Sequence, residues 1–261
     1  MRRTDMADEL FRGTGAELPA GVRLATAKHG EVTVTRVEIA REGLARPRGR
    51  YVTLEMPSVS VLDERDTAVI ETGAAELRAL LPPEGPVLVL GIGNRRVTAD
   101  ALGPRTAQKI LVTMGPQHTL PVRGIRQVAA LAPGVSGETG LTLRQLAAAL
   151  AGTVQPTAVV CVDSLCSAEA ARLGRSIQFS DTGLYPADTR HAKHLDAAVL
   201  GVPVIAAGIP TLMDADEGAD LVLTPRALDS VIAHGSALLA GILNRALQPR
   251  LSVAQLCWLT G

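Results

Sequence analysis

Apolar and polar residues follow two periods along this chain, and the switching between them predicts alternating strands and helices. Val32-Thr33-Val34-Thr35, with Val37, and Tyr51-Val52-Thr53-Leu54 have the β-branched and aromatic content of strands. Two unbroken apolar runs, Val87-Leu88-Val89-Leu90 and Ala158-Val159-Val160-Cys161-Val162, predict strands buried on both faces. Further strands are expected near 124 to 131, 175 to 180 and 203 to 207. A helix is predicted over Asp66 to Leu81, ended by Pro82-Pro83 and Gly85, and another near 101 to 114. Thr142 can cap a third that runs to about 151. Thr224 then Pro225 read as a cap and first-turn pair, opening a helix whose apolar positions Leu228, Val231, Ile232, Leu238, Leu239, Ile242 and Leu243 keep helical spacing. The predicted fold is α/β: a mainly parallel sheet with helices on both faces and a small N-terminal β subregion. Residues 1–20, with Gly13, Gly15 and Pro19 among scattered charges, read as a mobile leader. Residues 21–261 read as one α/β domain, with the β subregion at about 21–60.

Charge and cysteine content remove several function classes. Lys+Arg and Asp+Glu are both 26, so no net field draws the chain to nucleic acid or to an anionic membrane, and neither is expected as a partner. Three cysteines, Cys161, Cys166 and Cys257, cannot all pair within the chain, and Cys161 sits in a buried run; a reducing compartment suits them. Met1 is followed by Arg2 and Arg3 and then by polar residues, which leaves no apolar core for a signal peptide. No later run reads as a membrane span, and a soluble intracellular protein is expected.

Two acids stand where an α/β protein presents chemistry. Asp100 ends a glycine turn, Gly91 to Ala99, that follows the apolar run at 87–90, and Asp163 follows the run at 158–162. Two carboxylates at the ends of neighbouring parallel strands could share a water, with one acting as base and the other as acid. Taken alone, Asp100 also fits a helix N-cap and Asp163 a turn acid. Gly91-Ile92-Gly93 opens like a dinucleotide fingerprint, but Arg96 stands where the third glycine belongs, so no cofactor is predicted. His191 and His194 lie three apart without a cysteine or acid at a diagnostic spacing; a solvated face explains them better than a metal, and no metal is assigned. Asp181-Thr182-Gly183 spells the signature of pepsin-like proteases, but the chain lacks the all-β pattern of those enzymes.

The segments around both acids resemble the germination proteases of spore-forming bacteria. The likeness rests on Arg3-Thr4-Asp5-Met6-Ala7, Gly49 to Glu55, Gly91 to Ile110, Ala132 to Gly140, Ile177 to Gly183 and Leu200 to Thr211, in the family's order from residue 3 to about 215. It implies a fold related to the hydrogenase maturation proteases and an endopeptidase that degrades small acid-soluble spore proteins during germination. By the same resemblance the catalytic acids are Asp100 and Asp163, and Asn94, Asp181 and Asp214 support them or line the substrate cleft. It further implies a precursor that cuts itself between Asp5 and Met6, a homotetramer, and residence in the cytoplasm of the forespore or spore core. Where the family carries a Gly-rich stretch after Asp-Thr-Gly, this chain has Leu184 to His191, which leaves the loop beside the cleft open. Two alternatives stand: a maturation-type peptidase that trims a metalloenzyme precursor, and an inactive binding or assembly homologue.

Overall fold

In the computed structural model, residues 3–11, 18–62, 65–115, 124–185, 194–216 and 221–260 are described. Among them a single nine-stranded sheet runs in the order β1-β2-β3-β7-β8-β6-β4-β5, with β9 added to β8. The strands are β1 (Val22–His29), β2 (Val32–Ile39), β3 (Gly49–Glu55), β4 (Val87–Gly91), β5 (Val128–Leu131), β6 (Ala158–Cys166), β7 (Ser176–Ser180), β8 (Val204–Asp214) and β9 (Val222–Leu223). The helices are α1 (Thr67–Leu80), α2 (Leu102–Ala107), α3 (Ser136–Thr139), α4 (Leu143–Val154), α5 (Ala197–Leu200), α6 (Leu228–Leu247) and α7 (Val253–Thr260).

The apolar runs form the parallel centre, where β4 pairs with β5 and β6, and β6 pairs with β8. Alternate side chains of these strands feed two cores. Val87, Val89, Val160, Val162, Ile205 and Ala207 pack in the larger core with residues of α1, α2 and α6. Leu88, Leu90, Val159, Cys161 and Val204 pack on the other face with residues of α4 and α5. From β8 outward the pairing is antiparallel through β7, β3, β2 and β1. The N-terminal β subregion therefore continues the main sheet, because Tyr51 to Glu55 pair directly with Ser180 to Ser176.

Two element boundaries differ from the sequence reading. Helix α2 ends at Ala107 because later N–H groups find tertiary partners: Leu111 N–H donates to Asn244 Oδ1, and those of Thr113 and Met114 to the Val128 carbonyl. Helix α6 begins at Leu228, since Val222 and Leu223 first pair with Asp214 and Met213 of β8 and Ala227 is not helical. Thr224-Pro225 thus lie in the connection between β9 and α6. Helix α6 is also long and apolar enough, by length and composition, to cross a bilayer, which corrects the reading that no later run approaches a span. Its Ile232, Leu239, Ile242 and Leu243 are fully covered by the larger core. Thr142 does cap α4, within a reciprocal capping box with Gln145.

Candidate active site

The two acids sit on different elements, Asp100 at the end of the loop that leaves β4 and Asp163 within β6. Ile92 N–H donates to the Val162 carbonyl at 2.7 Å, and there the chain after β4 leaves the sheet. Strand β6 runs on to Cys166, so Asp163 lies within a strand, at the level where its neighbour β4 stops, instead of at the strand end that the sequence implies. Asp163 is buried, and its Oδ1 accepts the Ser164 N–H at 2.9 Å.

Asp100 closes the loop that leaves β4. Its Oδ2 accepts the Asn94 N–H at 2.7 Å, while Asn94 Oδ1 accepts the Arg96 N–H at 2.9 Å. Only glycine fits at Gly93, where φ is +125° and a Cβ would lie 2.0 Å from the Asp100 carbonyl oxygen. Thr211 Oγ1 of β8 donates to the Ala99 carbonyl at 2.9 Å and ties the loop across the sheet end. Asp100 does not cap α2; the N-cap position is Ala101, with no side-chain bond.

A cavity of about 50 Å³ opens beside Asp163, and Asp5, Arg46, Tyr51, Gln178 and Tyr185 help to line it. Asp100, Asn94, Asp181 and Asp214 are not among its lining residues. Residues 3–11, which the sequence groups with a mobile leader, are packed across this end of the fold. Asp5 N–H donates to the Cys166 carbonyl and Cys166 N–H donates to Asp5 Oδ2, both at 2.7 Å. Gln178 Nε2 donates to the Asp5 carbonyl at 2.8 Å, and its Oε1 accepts the Ala7 N–H at 2.7 Å. Met6 and Ala7 are fully buried.

The charged residues on either side of Asp5 anchor the segment. Arg3 pairs with Asp214 at 2.8 Å. Arg172, buried, faces Asp8 at 2.9 Å, Glu55 at 2.8 Å and Glu9 at 3.4 Å. Burial opposes the Arg172 charge, but the adjacent Asp8 and then Glu55 and Glu9 outweigh it and hold the pKa above its ordinary value. Asp181 serves the sheet: its carboxylate accepts from the Arg50 N–H and Nε, each at 2.7 Å, across the β3–β7 pair.

Thiol chemistry finds little support in this site. Burial, reinforced by the Asp163 charge, pushes the Cys161 thiol up to about 12. Burial pushes Cys166 up to about 11, and its Sγ faces the Arg3 carbonyl at 3.4 Å as a donor. Neither is a thiolate at neutral pH. His194 pairs with Asp196 at 3.0 Å, whereas His191 lies outside the described residues. Among the described residues no three His, Cys, Asp or Glu side chains form a group able to hold a metal ion.

A sequence model of germination proteases matches residues 6–217, a span that holds Asn94, Asp100, Asp163, Asp181 and Asp214. The chain belongs to the germination protease family. Germination proteases of Clostridium perfringens are 32% identical over 85% of this chain and 86% of their own length. That of Caldanaerobacter subterraneus is 37% identical over 82% of this chain and 69% of its own. The Clostridium acetobutylicum protein, at 29% identity, spans 97% of both. Among solved structures, the [NiFe] hydrogenase maturation protease HycI of Thermococcus kodakarensis aligns with a TM-score of 0.43 and 20% identity, covering 66% of this chain and 98% of its own.

As a germination protease the chain is a peptidase, and its cavity then gains interest for residues that sequence reasoning passed over. Arg46 and Gln178 line it without belonging to a sequence motif for catalysis, and Gly208 pairs with Asp163 across the sheet. Gln178 carried one signal, a polar residue between Ile177 and Phe179 in a strand that is buried throughout. Arg46 carried none, since its burial depends on residues 3–11 packing over it.

Proposed function

We propose that this chain is an endopeptidase that degrades small acid-soluble spore proteins during germination, with Asp100 and Asp163 activating water, and that it first removes its own N-terminal residues by cutting between Asp5 and Met6. One observation carries the proposal: in a germination protease, Asp163 and Asp5 line one cavity. A segment with an acid, an apolar residue and alanine in succession thus lies at the side chain expected to work on it.

The chemistry requires little else. One carboxylate takes a proton from water, whose oxygen attacks the Asp5 carbonyl carbon; the other gives a proton to the Met6 nitrogen as the carbon–nitrogen bond breaks. Neighbouring carboxylates that share one proton can fill both roles. Before the cut, Asp5 lines the cleft beside Asp163, so the uncut chain is a precursor whose own N-terminus excludes other substrates.

The test is to hold the purified full chain at mildly acidic and neutral pH, sequence the N-termini that accumulate, and then add a small acid-soluble spore protein and identify its products by mass spectrometry. A terminus at Met6, absent in Asp163→Asn, and internal cuts in the added protein are expected. A fully active enzyme that keeps residues 1–5 would refute the self-processing step. An added protein left whole would refute the substrate assignment.

A further inference from the structure

We infer that Arg46 and the Cys166 N–H form a subsite that reads an acidic residue before the cut, and that Gln178 is a catalytic residue that polarises the carbonyl being attacked. The inference rests on the proposed cut between Asp5 and Met6.

Register places the parts. Asp163 of β6 pairs with Gly208 of β8, and Gly208 pairs with Gln178 of β7. Residues paired across strands point to the same face, so Asp163 and Gln178 flank a glycine on one side of the sheet. Two strand spacings separate their backbones by about 10 Å, and Leu165 of β6 packs against the glycine between them. The next residue of this row, Thr53 of β3, pairs with Gln178 and donates to Asp8 Oδ1 at 3.0 Å. Residues 5–8 therefore run past Gln178 and Thr53.

The Asp5–Met6 peptide is gripped at both ends by one side chain. The Gln178 carboxamide donates to the Asp5 carbonyl oxygen and accepts from the Ala7 N–H, spanning the bond proposed to break. When water attacks the Asp5 carbon, negative charge grows on the oxygen that Gln178 Nε2 already faces at 2.8 Å; a donor so placed lowers the barrier more than it tightens binding.

The Asp5 side chain is read separately. Oδ2 takes the Cys166 N–H at 2.7 Å, and Oδ1 faces Arg46 at 3.4 Å. Arg46 is held in place by the Tyr185 carbonyl at 2.7 Å and by the Thr4 carbonyl, and is almost wholly buried. A neutral residue before the cut would leave this guanidinium facing an uncharged group in a site shielded from water. Such a site discriminates by the penalty on its own unpaired charge, a cost that a substrate lacking the acid cannot avoid.

Two quenched fluorescent peptides test this in trans, one carrying Thr-Asp-Met-Ala and one Thr-Asn-Met-Ala, with the enzyme after removal of residues 1–5. Wild type is expected to prefer the acidic peptide by about 100-fold or more in kcat/KM. Arg46→Met should bring that ratio to within about tenfold, and Arg46→Lys should recover part of it. Gln178→Met and Gln178→Glu should each lower kcat by about 100-fold with little change in KM. Unchanged circular dichroism certifies the fold, and the second Gln178 variant serves where the first fails to fold. An Arg46→Met enzyme that keeps the wild-type preference overturns the subsite alone, and Gln178 variants within twofold of wild-type kcat overturn the polarising role alone. A wild type that cuts neither peptide overturns the Asp5–Met6 assignment itself, and this inference with it.

Discussion

Gly208 of β8 lies directly across from Asp163 of β6, so close that a Cβ on Gly208 would sit 2.3 Å from the Asp163 carbonyl oxygen and 2.7 Å from Leu165 Cγ. Backbone contacts of this kind cannot be relieved by turning a side chain. Gly208→Ala should force β6 and β8 apart, costing about 1–3 kcal/mol in stability. Because the shift falls on the strand that carries Asp163, activity should drop more than stability alone explains. Urea unfolding followed by peptide hydrolysis under conditions where the variant is fully folded measures both, and wild-type values would show that the sheet accepts the methyl group.

Asp100→Asn and Asp163→Asn should each abolish hydrolysis with little change in thermal midpoint. Asparagine keeps an oxygen that can accept the Asn94 N–H at the first position and the Ser164 N–H at the second, while removing the charge. The double variant should be hardly slower than either single one, since residues that act together lose function non-additively. Substantial turnover by either single variant would remove that acid from the mechanism.

Arg172 is the buried cation that faces Asp8, Glu9 and Glu55, with Glu169 at 3.2 Å on its outer side. Arg172→Ala leaves those carboxylates uncompensated and should cost about 3–5 kcal/mol. The anchorage of residues 3–11 should fail first, because Asp8 and Glu9 belong to that segment. Limited proteolysis near residue 10 that speeds up before global unfolding would agree; a variant as resistant as wild type would show the ion cluster to be dispensable.

Alkaline pH should destabilise the fold in a defined window. Burial raises Cys161 from 9.0 to about 12, Cys166 from 9.0 to about 11 and Tyr51 from 10.0 to about 12. The unfolded chain releases these protons first, so the stability they contribute is complete below pH 9 and is lost as pH rises through the folded values. Each group removes about 1.4 kcal/mol per pH unit once its unfolded form has ionised. Cys161→Ala should begin less stable, from the cavity it leaves, and should show a shallower decline between pH 9 and 11. Parallel wild-type and variant curves would mean that Cys161 does not contribute.

Local pattern determined a good deal of this protein. The unbroken apolar runs at 87–90 and 158–162 became β4 and most of β6, buried on both faces, because only a central strand covered by helices on each side has no place for a polar residue. The Thr142 cap and the glycine turn before Asp100 were equally legible, since each depends on neighbours within a few residues. Tertiary structure alone decided the rest. Helix α2 stops early because Asn244, far along the chain, takes the Leu111 N–H, and the row Gln178–Gly208–Asp163 exists only because β8 inserts between β6 and β7 in a set register. Residues 3–11 are polar enough to read as a free leader, yet Arg172, Gln178 and Arg46 supply ion pairs and hydrogen bonds that hold them against the sheet. Periodicity records which side of an element is buried, not which partner buries it, and long-range partners set the contents of the cleft.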